Sequence, residues 1–199
     1  MAGEHEGKPS PLGIRKPKLL LGEGREEEKI FGEMLRVCGL TDVQVLNYGG
    51  KSKLQDFLQA VKGATGFAGV RVLAVTCDAD NDHASAVQQL KNAIARAGFP
   101  PGLRVKIFVI PAPGRPGMLE DLFLDALKES PVHRCINLFM ECIKAAGATP
   151  QPEAKARIHA WLATRDRPDL RLGDAVQGGA VDLNHPAFAG FLNFLRSLD

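Results

Sequence analysis

Val72-Leu73-Ala74-Val75-Thr76-Cys77 runs directly into Asp78-Ala79-Asp80-Asn81-Asp82. The first stretch reads as a buried strand, and it delivers three carboxylates to a single loop. Like charges about 4 Å apart repel by roughly 1 kcal/mol in bulk water and by roughly 4 kcal/mol at a protein-like dielectric. Packing three acids together is therefore a poor structural choice unless a hard cation neutralises them. The loop reads first as a magnesium or manganese site.

Outward from this strand the chain alternates. Leu19-Leu20-Leu21 forms a short buried strand ending at Gly22, and Ile30, Phe31, Met34, Leu35 and Cys38 follow at helical spacing. Val43, Val45 and Leu46 make a second strand that stops at Gly49-Gly50. Leu54, Phe57, Leu58 and Val61 then mark a helix, with Ser52 placed to cap it. After the Asp78–Asp82 loop, Val87, Leu90, Ile94 and Ala97 mark a third helix. Val105, Ile107, Val109 and Ile110 form a fourth strand, closed by Pro111-Ala112-Pro113-Gly114. This β-α-β-α-β-α-β order predicts an α/β fold with a mostly parallel four-stranded sheet and helices on both faces. Ligands of such sheets bind beyond the carboxyl ends of the strands. The loops at Gly22-Glu23-Gly24, Gly49-Gly50-Lys51, Asp78–Asp82 and Pro113–Asp121 should all open on that edge. Beyond Met118 the pattern is helical, centred on Leu122, Phe139, Trp161 and Phe191, with a Gly-, Asp- and Pro-rich loop expected between Arg165 and His185.

Composition narrows the setting. The chain has 199 residues, 45% of them apolar, and a formal net charge of +2. It can bury a real core, and any nucleic-acid partner must be met by a local patch. No apolar run is long enough to span a bilayer, and the first eighteen residues lack a signal-peptide core. A cytoplasmic location is expected, with no membrane partner. Cys38, Cys77, Cys135 and Cys142 form no CxxC pair and fall in apolar patterns, so buried thiols are expected. Cys135 and Cys142 lie seven apart and are expected to share a packing face.

Several phosphate and metal motifs fail. Gly22-x-Gly24-x-x-Glu27 lacks the third glycine of a dinucleotide fingerprint, and the second strand ends at Asn47 instead of an acid. Asp78, Asp80 and Asp82 imitate the opening of an EF-hand, but His83 stands at its sixth position and Gln89 at its twelfth. Gly50-Lys51-Ser52 resembles the end of a P-loop whose first glycine is replaced by Val45. A haloacid-dehalogenase-type phosphatase needs its Asp-x-Asp on the first strand. Glu23 survives because a strand-end acid facing the aspartate loop would add to the repulsion. Glu27, one helical turn on, can point back toward it. Glu26 and Glu28 are read as acids that complement a helix N-terminus.

The pairing of strand-Gly22-Glu23-Gly24 with strand-Asp78-Ala79-Asp80 resembles the Toprim domain of topoisomerases, bacterial primases and OLD-type nucleases. The likeness spans roughly Lys18 to Pro113, with Gly22 standing where a branched aliphatic is usual. By position, Glu23, Asp78 and Asp80 match the family's metal-holding acids, Asp82 matches an extra acid that many members have, and Glu27 stands where an aspartate is common. Gly49-Gly50-Lys51-Ser52 and Arg115-Pro116-Gly117-Met118-Leu119-Glu120-Asp121 are similar to stretches of a small Toprim-like family related to the OLD nucleases. That likeness extends into the helical region and adds Glu120 to the metal set, with Asp121 a lesser candidate.

The resemblance implies two Mg²⁺ or Mn²⁺ ions held by Glu23, Glu27, Asp78, Asp80, Asp82 and Glu120, which suits attack on a phosphodiester of DNA or RNA. Glu23 can alternatively act as general base, making it and Lys51 the catalytic pair, while Lys51 and Arg115 contact phosphate. OLD-type enzymes carry an ATPase domain and this chain has no P-loop, so a separate ATPase is an expected partner, in a phage-defence or repair setting. A homo-oligomer stays open. The competing readings are a metal- or nucleotide-binding regulatory module without turnover and a metal-dependent phosphatase on a small ester. His83, His133, His159 and His185 are assigned no role, and Trp161 and the terminal phenylalanines are expected in the core. The expected organisation is a flexible tail over 1–17, a catalytic core over 18–130, and a helical extension over 131–199 packed on that core.

Overall fold

The computed structural model describes residues 12–199. Strands β1 (Lys18–Gly22), β2 (Val43–Asn47), β3 (Val72–Asp78) and β4 (Arg104–Ile110) form one parallel sheet in the order β2-β1-β3-β4. Helices α1 (Arg25–Val37), α2 (Leu54–Lys62) and α3 (His83–Ala97) connect successive strands. Then come α4 (Leu119–Leu127), α5 (Pro131–Ala145), α6 (Glu153–Leu162), α7 (Leu172–Gln177) and α8 (Ala189–Arg196). This is the expected α/β, Toprim-like architecture.

The two-residue period of the strands sorts their side chains into two cores. Leu19, Leu21, Leu73, Val75 and Cys77 pack with Leu58 of α2 and Leu90 of α3. Leu20, Ala74, Phe108 and Ile110 pack on the other face with Phe31 of α1 and with Trp161 and Phe191 of the C-terminal helices. Because both faces are covered, the central strands read as continuous apolar runs instead of alternating ones. Residues 131–199 thus help cover one face of the sheet. The Phe191 ring lies 4.9 Å from that of Phe31 and 5.2 Å from that of Phe108, tilted against both. The far end is clamped by charge: buried Lys18 pairs with Asp42 at 3.0 Å and with Asp199 at 2.9 Å, and Arg104 donates to the carbonyls of Leu198 and Asp199.

Helix α1 lies on one face and leads outward to β2, whereas α2 and α3 lie on the other face. The strand order therefore reverses between β1 and β3. In an open α/β sheet that reversal leaves a crevice at the carboxyl ends of the two strands, and ligands enter there. Glu23 follows β1 and Asp78 closes β3, so the two key acids flank it.

Four local expectations are corrected. Of the expected tail, residues 1–11 lie outside the described residues. Within the rest, Ile14 is buried and its N–H donates to the Thr65 carbonyl at 3.0 Å. Ser52 does not cap α2, because a 3₁₀ turn over Lys51–Lys53 intervenes and Lys53 is the cap residue. The expected loop between Arg165 and His185 contains α7, whose Leu172, Ala175 and Val176 are buried. Cys77 is buried and Cys38 half-buried, but Cys135 and Cys142 are exposed. Helix α5 buries the face carrying Ile136 and Met140, which turns Leu138 and Phe139 outward with the two thiols. No helix among the described residues is long and apolar enough to cross a membrane.

This arrangement orders thiol reactivity. With a mass-resolved aromatic disulfide reagent, Cys135 and Cys142 are modified first and Cys77 only on unfolding. Early labelling of Cys77, or protection of the two α5 thiols, contradicts the placement of α5.

Candidate metal centre

The β1–β3 ladder ends at Leu21 opposite Val75. Past that pair, side chains take over: the Thr76 hydroxyl donates to the Leu21 carbonyl at 2.9 Å, and the Tyr48 hydroxyl donates to the Thr76 carbonyl at 2.7 Å. These bonds hold the strand tips that carry Glu23 and Asp78. Gly22 sits at the tip of β1, where a Cβ would meet the Cβ of Glu27 at 2.8 Å and the Phe31 ring at 3.0 Å. Without a side chain there, α1 can press against the strand end and carry Glu27 over Gly24.

Glu23, Glu27 and Asp78 line one cavity of about 460 Å³, joined by Asn47, Gly49, Gly50 and Lys155. Glu27, Asp78, Glu120 and Lys155 line a smaller cavity of about 110 Å³ beside it. Burial, followed by the charges of Glu120, Glu23 and Glu27, pushes the Asp78 carboxyl up to about 8. The N–H of Leu119, donating to Asp78 Oδ1 at 2.9 Å, works in the opposite direction without cancelling it. Glu27 is raised by burial first and then by Glu23 and Glu120. Burial also raises Glu120, although Lys155, 4.0 Å from its Oε1, pulls the other way. Oε2 of Glu23 is buried and has no hydrogen-bond partner. These four acids come from three segments, and their charges act on one another.

The aspartate loop behaves differently from a three-acid cluster. Of the three, only Asp78 lines the cavities that hold Glu23, Glu27 and Glu120. Asp80 adopts a left-handed backbone (φ 49°), exchanges two backbone hydrogen bonds with Gly117, and forms an ion pair with Lys51. Asp82 caps α3, accepting from the Ser85 N–H at 3.0 Å. The loop relieves its own repulsion by sending each carboxylate to a separate partner, and the charge pressure arises instead between Asp78 and the glutamates.

Lys51 donates to the Asp78 carbonyl at 2.9 Å as well as to Asp80. Burial works against its ammonium, but the Asp80 bond and the charges of Asp80 and Glu23 hold its pKa above the ordinary value. Arg115 forms an ion pair with Asp125 of α4, directing it at a structural partner. Asp121 closes the start of α4, accepting from the Met118 N–H at 2.8 Å. Glu26 and Glu28 also have specific partners, the Gly173 N–H at 2.7 Å and the Asn47 amide at 2.6 Å. Sequence reasoning missed Lys155 and the neighbouring His159. They lie one turn apart on α6, and only the tertiary packing of α6 shows that their charges act on Glu120.

The donor set is all hard oxygen, which suits Mg²⁺ or Mn²⁺. Among the described residues no three acids, histidines or cysteines surround one point closely enough to cage a bare ion. Mg²⁺ keeps several of its waters and takes only one or two carboxylates directly, so a roomy acid-lined cavity fits it better than a tight cage. The orphaned Glu23 oxygen and the raised Asp78 carboxyl are the features that a dication would relieve.

The family model described as "Protein of unknown function (DUF3226)" matches residues 17–198. The chain belongs to this family. No curated protein matches it. Among solved structures, the chain is similar to the C-terminal region of the Burkholderia pseudomallei OLD protein, at 12% identity and a TM-score of 0.47, covering 94% of this chain and 100% of that one. It is also similar to the C-terminal region of the Xanthomonas campestris pv. campestris OLD protein, at 14% identity and a TM-score of 0.37, covering 92% and 82%. Likenesses this distant bear on neither activity nor residues.

A carboxyl whose folded pKa exceeds its unfolded value holds more protons folded than unfolded, so it costs stability as pH rises through that window. With metal removed by EDTA, the melting temperature should therefore fall from about pH 4 toward about pH 8, the span set by Asp78. Asp78→Asn keeps the acceptor for Leu119 and removes the charge. It should raise the melting temperature at pH 8 by about 3 °C or more, at roughly 2–4 °C per kcal/mol for a chain of this size. Calorimetric scans check this, and a variant less stable than wild type at pH 8 contradicts it.

Proposed function

We propose that this protein is a divalent-metal-dependent phosphodiesterase acting on nucleic acid, a nuclease. The observation that supports it is the convergence of Glu23, Glu27, Asp78 and Glu120 at the sheet's switch point, with one carboxylate oxygen buried and unpartnered. Asp78, Glu27 and Glu120 would hold the metal, together with Glu23. A dication held there would supply the acidified water and the charge neutralisation that phosphodiester hydrolysis needs.

The chain's own groups supply the rest. Glu23, on the β1 side of the crevice, would serve either as a metal ligand or instead as the base that takes the proton of the attacking water. Lys51 is already tied to the Asp78 carbonyl, and it would present its ammonium to a phosphate oxygen in place of Asp80. Lys155 offsets negative charge on the Glu120 side and would orient a second phosphate oxygen. The proposal extends to a separate ATPase partner on the sequence resemblance alone. A phosphatase acting on a small ester is a second reading, favoured by the cavity of about 460 Å³.

Incubation with plasmid, single-stranded DNA and tRNA tests the first reading. Cleavage is expected with Mn²⁺ or Mg²⁺, absent in EDTA, and reduced at least about 100-fold in Asp78→Asn and Glu23→Gln, the scale of a lost acid–base or electrostatic group. Nicking that persists in EDTA, or undiminished in both variants, overturns the proposal. Turnover of a small phosphate ester without any cleavage of nucleic acid moves the assignment to the phosphatase.

A further inference from the structure

On the opposite face of the sheet from Glu120, a further cavity of about 230 Å³ lies between α2 and α3. Its apolar lining includes Leu54 and Leu90, with Tyr48 and Cys77 at the strand ends. These two polar groups are spent. The Tyr48 hydroxyl is bonded to the Thr76 carbonyl, and the Cys77 thiol is buried. The remaining lining is rich in amides and cations, with Gln55 on α2, Asn92 and Arg96 on α3, and Lys51 on the preceding turn. Oε1 of Gln55 is buried and has no hydrogen-bond partner. A buried polar atom left unsatisfied is costly, so this one calls for a donor brought by a ligand.

The volume falls below the roughly 300–1,000 Å³ of drug-sized sites and suits a single heteroaromatic ring system. Apolar surface for a ring face, an amide for a ring-edge donor and cations for an attached phosphate describe a nucleotide. Lys51 belongs to both places: it lines this cavity and bonds the carbonyl of Asp78. From this geometry we infer that the α2–α3 cavity is a nucleobase subsite of the phosphodiesterase centre. It takes a base with an exocyclic amine that donates to Gln55 Oε1, and the attached phosphate lies on Lys51. The inference rests on the nuclease reading only for the phosphate's role as a reacting group.

Calorimetry on the full chain in EDTA tests the subsite without the metal centre, so its failure is separable from failure of the nuclease assay. The probes are AMP, ribose 5-phosphate and a 5′-phosphorylated hexamer of deoxyadenosine. AMP should bind at least about tenfold tighter than ribose 5-phosphate, a difference of about 1.4 kcal/mol. Gln55→Leu should weaken AMP at least about fivefold while leaving ribose 5-phosphate unchanged. Ser52→Trp, placed at an exposed lining position, should block AMP. Tighter binding of the hexamer than of AMP assigns the subsite to a strand, and equal binding assigns it to a free nucleotide. Absence of AMP binding, AMP no tighter than ribose 5-phosphate, or AMP affinity unchanged in both variants overturns the inference.

Discussion

Glu23, Glu27, Asp78 and Glu120 bring like charge into a partly desolvated crevice, where Coulomb repulsion at a few ångströms is several times its value in bulk water. Much of the surrounding structure tolerates that repulsion without removing it. The Leu119 N–H stabilises one oxygen of Asp78, and Lys155 approaches Glu120 from α6. Neither prevents the Asp78 carboxyl from rising to about 8. A fold that merely needed solvated acids at helix ends would leave them in water, as it does with Asp82 on α3.

The topology explains why these acids meet. Parallel strands place every strand-to-helix loop on one edge, and the reversal of strand order between β1 and β3 opens the crevice between the two strands that carry Glu23 and Asp78. Gly22 then lets α1 close on the strand tip, bringing in Glu27. The C-terminal helices pack on the same face as α1, and α4 and α6 contribute Glu120 and Lys155. The acid centre therefore depends on the helical region as much as on the sheet.

The layered architecture was legible because its signals are local. Apolar strand runs, helical spacing after each and glycine at the turns set the order β-α-β-α-β-α-β. The meeting of Glu23, Glu27 and Asp78 followed from the shared edge. What stayed hidden depended on side-chain partners far away in sequence. The loop Asp78–Asp82 looks like one cluster, yet its carboxylates go to three separate environments because Lys51 and the Ser85 N–H claim two of them. The ion pair of Arg115 with Asp125, ten residues on, is likewise not announced by the motif around it. Lys155 carries no motif, and α7 is short enough, at six residues, for its Gly- and Asp-containing sequence to look like loop. Cys135 and Cys142 share a helical face as their spacing requires, but periodicity alone does not say which face of α5 is covered.

The most direct measurement of the acid centre is Mn²⁺ binding to the metal-stripped protein, followed by electron paramagnetic resonance of the free ion and by competition with Mg²⁺. Saturable uptake is expected, with displacement by Mg²⁺ and at least about tenfold weaker binding in Asp78→Asn and in Glu23→Gln, equivalent to about 1.4 kcal/mol each. No uptake of Mn²⁺, or uptake that both substitutions leave unchanged, would contradict it.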